Sequence, residues 1–284
     1  MKRFCLIFTV VIISISIMAS CNEKTNKAGS HQDSSTTSST TTVTNVKEET
    51  VIVPADSTSL KCFVAYDDTK KGPRPVVLVV PEWWGLNDYT KSRARQLATL
   101  GYLAMVVDMY GNGRVAANPD EAKALAGGFY GNPKLGENRI LAALAKAKTY
   151  PQADTTKTAA IGYCFGGSMV LNAAKMGSPF DGVVSFHGGL AGVTPAKNTI
   201  KSKILVCHGM ADKFISPQEV ASFRKQLDSV GATYTFKEYP DATHAFTNPE
   251  SNENARKFNM PIAYNAEADK NSWNDMKAFF ATLW

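Results

Sequence analysis

The sequence predicts an α/β fold, a mostly parallel central sheet with helices on both faces and an opening antiparallel hairpin. Three observations carry that expectation. Short apolar runs bounded by glycine and proline alternate with helical stretches, the spacing of crossover units in a parallel sheet. One of those runs passes directly into the Gly-rich turn "IGYCFGG" and then into a helix. The first two extended stretches are joined only by turn residues.

Taken in order, "VIVPA" and "SLKCFVAYDD" form the hairpin around Asp56 and Ser57. "PVVLVVPEWWG", residues 75–85, is a nearly unbroken apolar run suited to a strand covered on both faces. "LNDYTKSRARQLATLG" follows as a helix, with Leu97 and Leu100 turned inward and Gly101 as its stop. The rhythm repeats through strand "YLAMVVDMYG", a helical region from Pro119 to Tyr150, strand "KTAAIGY" and a helix from Phe165. Strands "GVVSFHGG" and "KILVCHG", helix "SPQEVASFRKQLDSVG" and strand "TYTFKEYP" complete the sheet. The last helix, from about Ala263, aligns Trp273, Met276, Phe280 and Leu283 on one face as a core stripe.

Residues 1–21 stand apart from this pattern. Lys2 and Arg3 precede an apolar run from Phe4 to Met18, too short for the ~20 residues of a membrane-spanning helix and typical of an export signal. Its ending "MASC" resembles a bacterial lipobox, which implies lipidation at Cys21 and a membrane-anchored protein of the cell envelope, periplasmic or at the cell surface; an ordinary secretory signal cleaved nearby is the alternative. Residues 22–46, with "SSTTSSTTTVT", lack the apolar surface needed to offset ordering and read as a flexible tether to a domain at 47–284. Loss of Lys2 and Arg3 lowers the formal charge from +6 to +4, and no dense basic run remains to suggest a nucleic-acid partner.

Cys5 and Cys21 fall in the signal and anchor, which leaves Cys62, Cys164 and Cys207, and therefore at least one free thiol. Export permits a Cys62–Cys207 disulfide, whereas their place in apparent strands favours two buried thiols.

Chemistry concentrates at the turn. Gly162, Cys164 and Gly166 make the nucleophile-elbow pattern G-x-S-x-G with sulfur for oxygen, and a helix N-terminus at the turn stabilises a thiolate. The turn alone fits tight packing equally well. Asp212, just after "KILVCHG", and His244, just after "TYTFKEYP", supply an acid and a base in the chain order nucleophile, acid, histidine. A cysteine needs a base to yield thiolate, and the base needs a carboxylate to fix its tautomer. Among the four histidines, His31 lies in the tether, His208 reads as structural, and His187 lines the pocket or orders a loop. Asp212 could instead cap the helix near Ser216, and Glu82 could cap the helix near Asn87.

The stretches "VVLVVPEWWGLND", "VVDMYG", "IGYCFGG", "VCHGMADKFIS", "DATHAF" and "WNDMKAFFATLW" together resemble the dienelactone hydrolase family, carboxymethylenebutenolidases on the α/β-hydrolase fold. The resemblance covers about residues 50–284, and elbow Cys164 paired with Glu82 in "PEWWG" is its most discriminating feature. It implies that Glu82 holds the resting thiol and takes its proton when a carboxylated substrate arrives. It also implies an oxyanion hole from the backbone N–H groups of Trp83 and Phe165. Family members hold the substrate carboxylate with arginines; here Arg114 is the nearest candidate, with Trp84 and Tyr110 as further pocket candidates.

The function expected is hydrolysis of a lactone or small carboxylic ester or thioester through a Cys164 acyl-enzyme. A non-catalytic module that binds a small molecule or an envelope partner is the alternative on the same fold. No C-x-x-C pair supports thiol redox chemistry, no metal-ligand spacing occurs, and no phosphate-binding fingerprint implies a cofactor.

Overall fold

The computed structural model describes residues 45–284. The expected signal peptide, the expected lipidation site Cys21 and the expected tether up to residue 44 lie outside the described residues. Eight strands form one sheet: β1 (Val46–Ala55), β2 (Thr58–Asp67), β3 (Arg74–Val80), β4 (Leu103–Val106), β5 (Ala153–Tyr163), β6 (Gly182–Phe186), β7 (Lys203–Gly209) and β8 (Tyr234–Tyr239). Their order is β1-β2-β4-β3-β5-β6-β7-β8. β1 and β2 form the expected hairpin, β2 also runs antiparallel to β4, and every remaining pair is parallel. Val46 already pairs with Asp67, so the sheet takes up the last residue assigned to the tether.

The helices are α1 (Asp88–Leu100), α2 (Pro119–Gly131), α3 (Pro133–Ala147), α4 (Phe165–Lys175), α5 (Pro217–Ser229), α6 (Ser251–Phe258) and α7 (Ala266–Phe280). The strand period sorts the core into two layers. Val76, Leu78 and Val80 of β3 face a cluster with Phe129, Ile140, Phe165, Val170 and Phe223 from α2, α3, α4 and α5. Val77 and Val79 face another with Leu97, Met276 and Phe280 from α1 and α7. Val76 to Val80 are all fully buried, which explains why β3 shows no polar alternation. Full burial of each such side chain stabilises the fold by ~1.5–3 kcal/mol.

Three sequence expectations change. The region from Pro119 to Tyr150 is two helices, because Asn132 ends α2 and its side chain caps α3, whose first residue is Pro133. Leu97 is buried, but Leu100 is 41 % exposed in the last turn of α1 before the left-handed Gly101 cap. The final helix starts at Ala266, where Asn265 accepts the N–H of Ala268, rather than near Ala263. Cys62, Cys164 and Cys207 are free thiols, and Cys62 and Cys207 are wholly buried on β2 and β7.

Candidate active site

Each element delivers one group to the C-terminal ends of the parallel strands. Cys164 sits between β5 and α4 at φ 52 and ψ −115, a conformation maintained only because its surroundings leave no alternative. The flanking glycines are sterically required. A Cβ on Gly162 would overlap the carbonyl oxygen of Gly166, and a Cβ on Gly166 would overlap that of Val80.

His244 follows β8 and Asp212 follows β7. His244 Nδ1–H donates to Asp212 Oδ2 at 2.8 Å, which turns Nε2 toward Cys164 Sγ at 3.0 Å. The other Asp212 oxygen accepts the N–H of Phe214 at 2.8 Å, and Ser216 itself caps α5, so Asp212 is no helix cap. Burial opposes charge on His244, but the Cys164 sulfur and the hydrogen-bonded Asp212 carboxylate outweigh it, holding the imidazole well above its ordinary pKa.

Glu82 lies between β3 and α1 and is only 2 % exposed. Its Oε2 accepts from Asn248 Nδ2 at 2.7 Å. Burial pushes its carboxyl up to about 7, against the opposing pull of the Asn248 donor and the His244 charge. The resting arrangement implied by the resemblance therefore differs here: the thiol pairs with His244, and the carboxylate with an amide. Glu82 does not cap α1, since Asn87 and Thr90 cap each other reciprocally. Among the described residues the backbone N–H groups of Trp83 and Phe165 meet no acceptor.

Cys164, His244 and Glu82 open onto a cavity of about 490 Å3 walled by Trp83, Trp84, Tyr130, Phe214, Met260 and Ile262. Of the pocket candidates, only Trp84 lines it. Tyr110 lies beneath it, packed on Phe129 and Phe165, and its hydroxyl donates to the Trp83 carbonyl at 2.8 Å, which props the Trp83 loop. Arg114 is exposed and outside the cavity, because its segment is held by a bridge between Val115 and Gly85. His187 is buried behind the elbow, where the backbone N–H of Cys164 reaches its Nδ1 at 3.1 Å. His208 is buried beside Phe236, as a structural residue.

Asn248, Thr247 and Tyr130 were not anticipated. The one signal for Thr247 and Asn248 is their place three and four residues after His244; Tyr130 gives none, because an aromatic near a helix end is ordinary packing. No group of acidic, histidine or cysteine side chains among the described residues is arranged to hold a metal ion.

Comparisons with known proteins fit this geometry. The model of the dienelactone hydrolase family matches residues 61–284. A solved metagenomic protein described as a dienelactone hydrolase-like promiscuous phosphotriesterase is 33% identical with a TM-score of 0.78, over 84% of this chain and 98% of its own. A Yersinia pestis protein provisionally named a carboxymethylenebutenolidase is 26% identical over 240 residues, 80% of this chain and 85% of that one. An uncharacterised Caenorhabditis elegans protein is 36% identical over 147 residues, 50% of this chain and 89% of that one. A family match spanning most of the chain, on a sheet and helix arrangement shared with a solved relative, makes this chain a member of the dienelactone hydrolase family, hydrolases of the α/β-hydrolase fold.

Proposed function

We propose that this hydrolase cleaves a lactone or a small carboxylic ester or thioester with Cys164 as nucleophile, His244 as base and acid, and Asp212 as the group that orients it. The observation that carries the reading is the unbroken line from Asp212 Oδ2 through His244 to Cys164 Sγ, at 2.8 and 3.0 Å, on a strained turn beside the cavity. His244 takes the thiol proton, and sulfur attacks the ester carbonyl carbon. The oxygen that becomes anionic meets the unpaired N–H groups of Trp83 and Phe165, each such donor contributing ~3 kcal/mol to the transition state. Collapse breaks the bond to the leaving alcohol or thiol, which receives the proton from His244 Nε2. Water then gives a proton to the same nitrogen and attacks the thioester, releasing the acid and restoring the thiol.

Hydrolysis of lactones, aryl esters and acyl thioesters by the wild type, Cys164→Ala and His244→Ala tests this. Loss of ~10²–10⁴ in rate is expected from each variant. Unchanged rates in either would sink the reading, and ligand binding without turnover by the wild type would favour a binding module. A phosphotriester belongs in the same panel, given the description of the metagenomic relative.

We also propose that Cys21 is lipidated and that residues 22–46 tether the domain to an envelope membrane; "MASC" after a short apolar run supports this. Labelling by palmitate in cells, lost in Cys21→Ser, tests it.

A further inference from the structure

The charges facing the cavity limit what it can accept. Among the described residues two carboxyl groups line it, Glu82 and Glu219; the cations are Lys123, which stands exposed on α2, and the His244 imidazole, which is already paired with Asp212 and Cys164. Glu219 is fixed in place, because its Oε1 accepts the N–H groups of Leu190 at 2.8 Å and Ala191 at 3.0 Å. Among the described residues no arginine lines the cavity. The buried arginines are committed elsewhere: Arg93 pairs with Asp269 and donates to the Thr247 carbonyl, and Arg74 donates to the Asp67 and Lys70 carbonyls. Arg139 is likewise held by the Met109 carbonyl and Asp56. The walls are aromatic and aliphatic. The rim is apolar too, with Tyr130 54 % and Phe214 50 % exposed.

A substrate bearing its own carboxylate would exchange water for two like charges, a solvated ammonium and an imidazole whose two nitrogens are already taken by Asp212 and Cys164, a net loss. An uncharged acyl or aryl group would instead displace water from Trp83, Trp84, Met260 and Ile262. We infer that the cavity selects uncharged esters with an apolar or aromatic group and discriminates against substrates that carry a carboxylate. This rests on the hydrolase reading above and narrows its substrate class.

The experiment compares p-nitrophenyl valerate with mono-p-nitrophenyl glutarate, which differ only by a carboxylate in place of the terminal methyl group. At pH 8 the valerate is expected to have a kcat/KM at least about tenfold higher. In Glu219→Gln, which keeps the acceptor for Leu190 and Ala191, the ratio is expected to fall severalfold. Equal or faster turnover of the glutarate by the wild type, or an unchanged ratio in Glu219→Gln, would overturn the inference. A second readout separates it from the reading on which it rests. In Cys164→Ala, quenching of tryptophan fluorescence by valeranilide and by glutaranilic acid gives their relative affinities without chemistry. Tighter binding of the neutral anilide with no ester turnover by the wild type removes the hydrolase reading alone. Tighter binding of the acid while esters are cleaved removes the selectivity alone.

Discussion

His187 Nδ1 accepts the backbone N–H of Cys164 at 3.1 Å, a proton that the same N–H shares with the Phe186 carbonyl at 3.0 Å. That contact fixes the tautomer: the ring proton is on Nε2, which donates to Thr247 Oγ1 at 2.7 Å. Thr247 in turn meets the Tyr89 hydroxyl at 2.6 Å, and Arg93 donates to the Thr247 carbonyl at 2.7 Å. Burial holds the His187 pKa well below its ordinary value, aided by the nearby His244 and Arg93 charges, so the ring stays neutral and keeps its acceptor.

From this arrangement, His187→Ala should lose about 1–3 kcal/mol of stability by leaving the Thr247 hydroxyl short of a partner. It should also lower kcat more than it raises KM. His187→Asn places an oxygen where Nδ1 was and tolerates the φ of 42 at this position, so it should recover more rate than His187→Gln. Urea unfolding and steady-state kinetics on the three variants check both parts; equal recovery by Gln would remove the backbone contact from the account.

Alkylation should discriminate among the thiols. Burial pushes Cys62 and Cys207 each up to about 12 and hides them from solvent, whereas Cys164 is partly exposed in the cavity. Peptide mapping after brief iodoacetamide treatment at pH 7.5 should show the adduct on Cys164, with Cys62 and Cys207 modified only after denaturation.

Glu82 should leave a signature in the pH dependence of stability. Its folded pKa of about 7 exceeds the ordinary 4.5, so between those values the folded chain keeps a proton that the unfolded chain has released. Stability therefore falls as pH rises through that window, by up to about 3 kcal/mol, and levels off above it. Glu82→Gln removes this contribution and should gain on the wild type as pH increases from 5 to 8. Asn248→Ala, by deleting the donor that favours the ionised form, should raise the upper edge of the window and leave its lower edge in place. Urea unfolding across that range reads both.

Gly166→Ala should be among the most damaging single-methyl additions in the protein, since the new Cβ meets the Val80 and Pro81 carbonyls rather than a side chain that can move. A loss of about 3 kcal/mol is expected, visible as a lower midpoint in urea. Gly127→Ala, in open space on α2, is the control and should cost nothing.

The sheet was legible because its strands are local runs with a strong period, and the elbow because glycine, cysteine and glycine lie side by side in the chain. Asp212 and His244 were legible from where strands end. The partners of the remaining groups were not, because they are remote: Thr247 is 60 residues from His187, and Asn248 is 166 from Glu82. α6 escaped notice because "SNENARKF" has almost no apolar residues to set a period, and Ser251 alone of the helix is buried. Arg93 gives no signal in "SRARQL", yet it is buried between Tyr89, Tyr163 and Trp273. A side chain whose value lies in what it joins carries no pattern of its own.

Between His244 and Asn248 the chain makes a single short excursion that reaches three separate parts of the fold. His244 meets Cys164, Thr247 meets His187, and Asn248 meets Glu82, with Phe246 packed between His187 and Tyr239. Ala245 turns this excursion at φ 57. Its five positions thus behave as a fixed-length word: exchanging one letter disturbs one pairing, but inserting or deleting one would shift all three remote pairings together. Variation in loop length across related proteins should accordingly fall on either side of this segment and not within it.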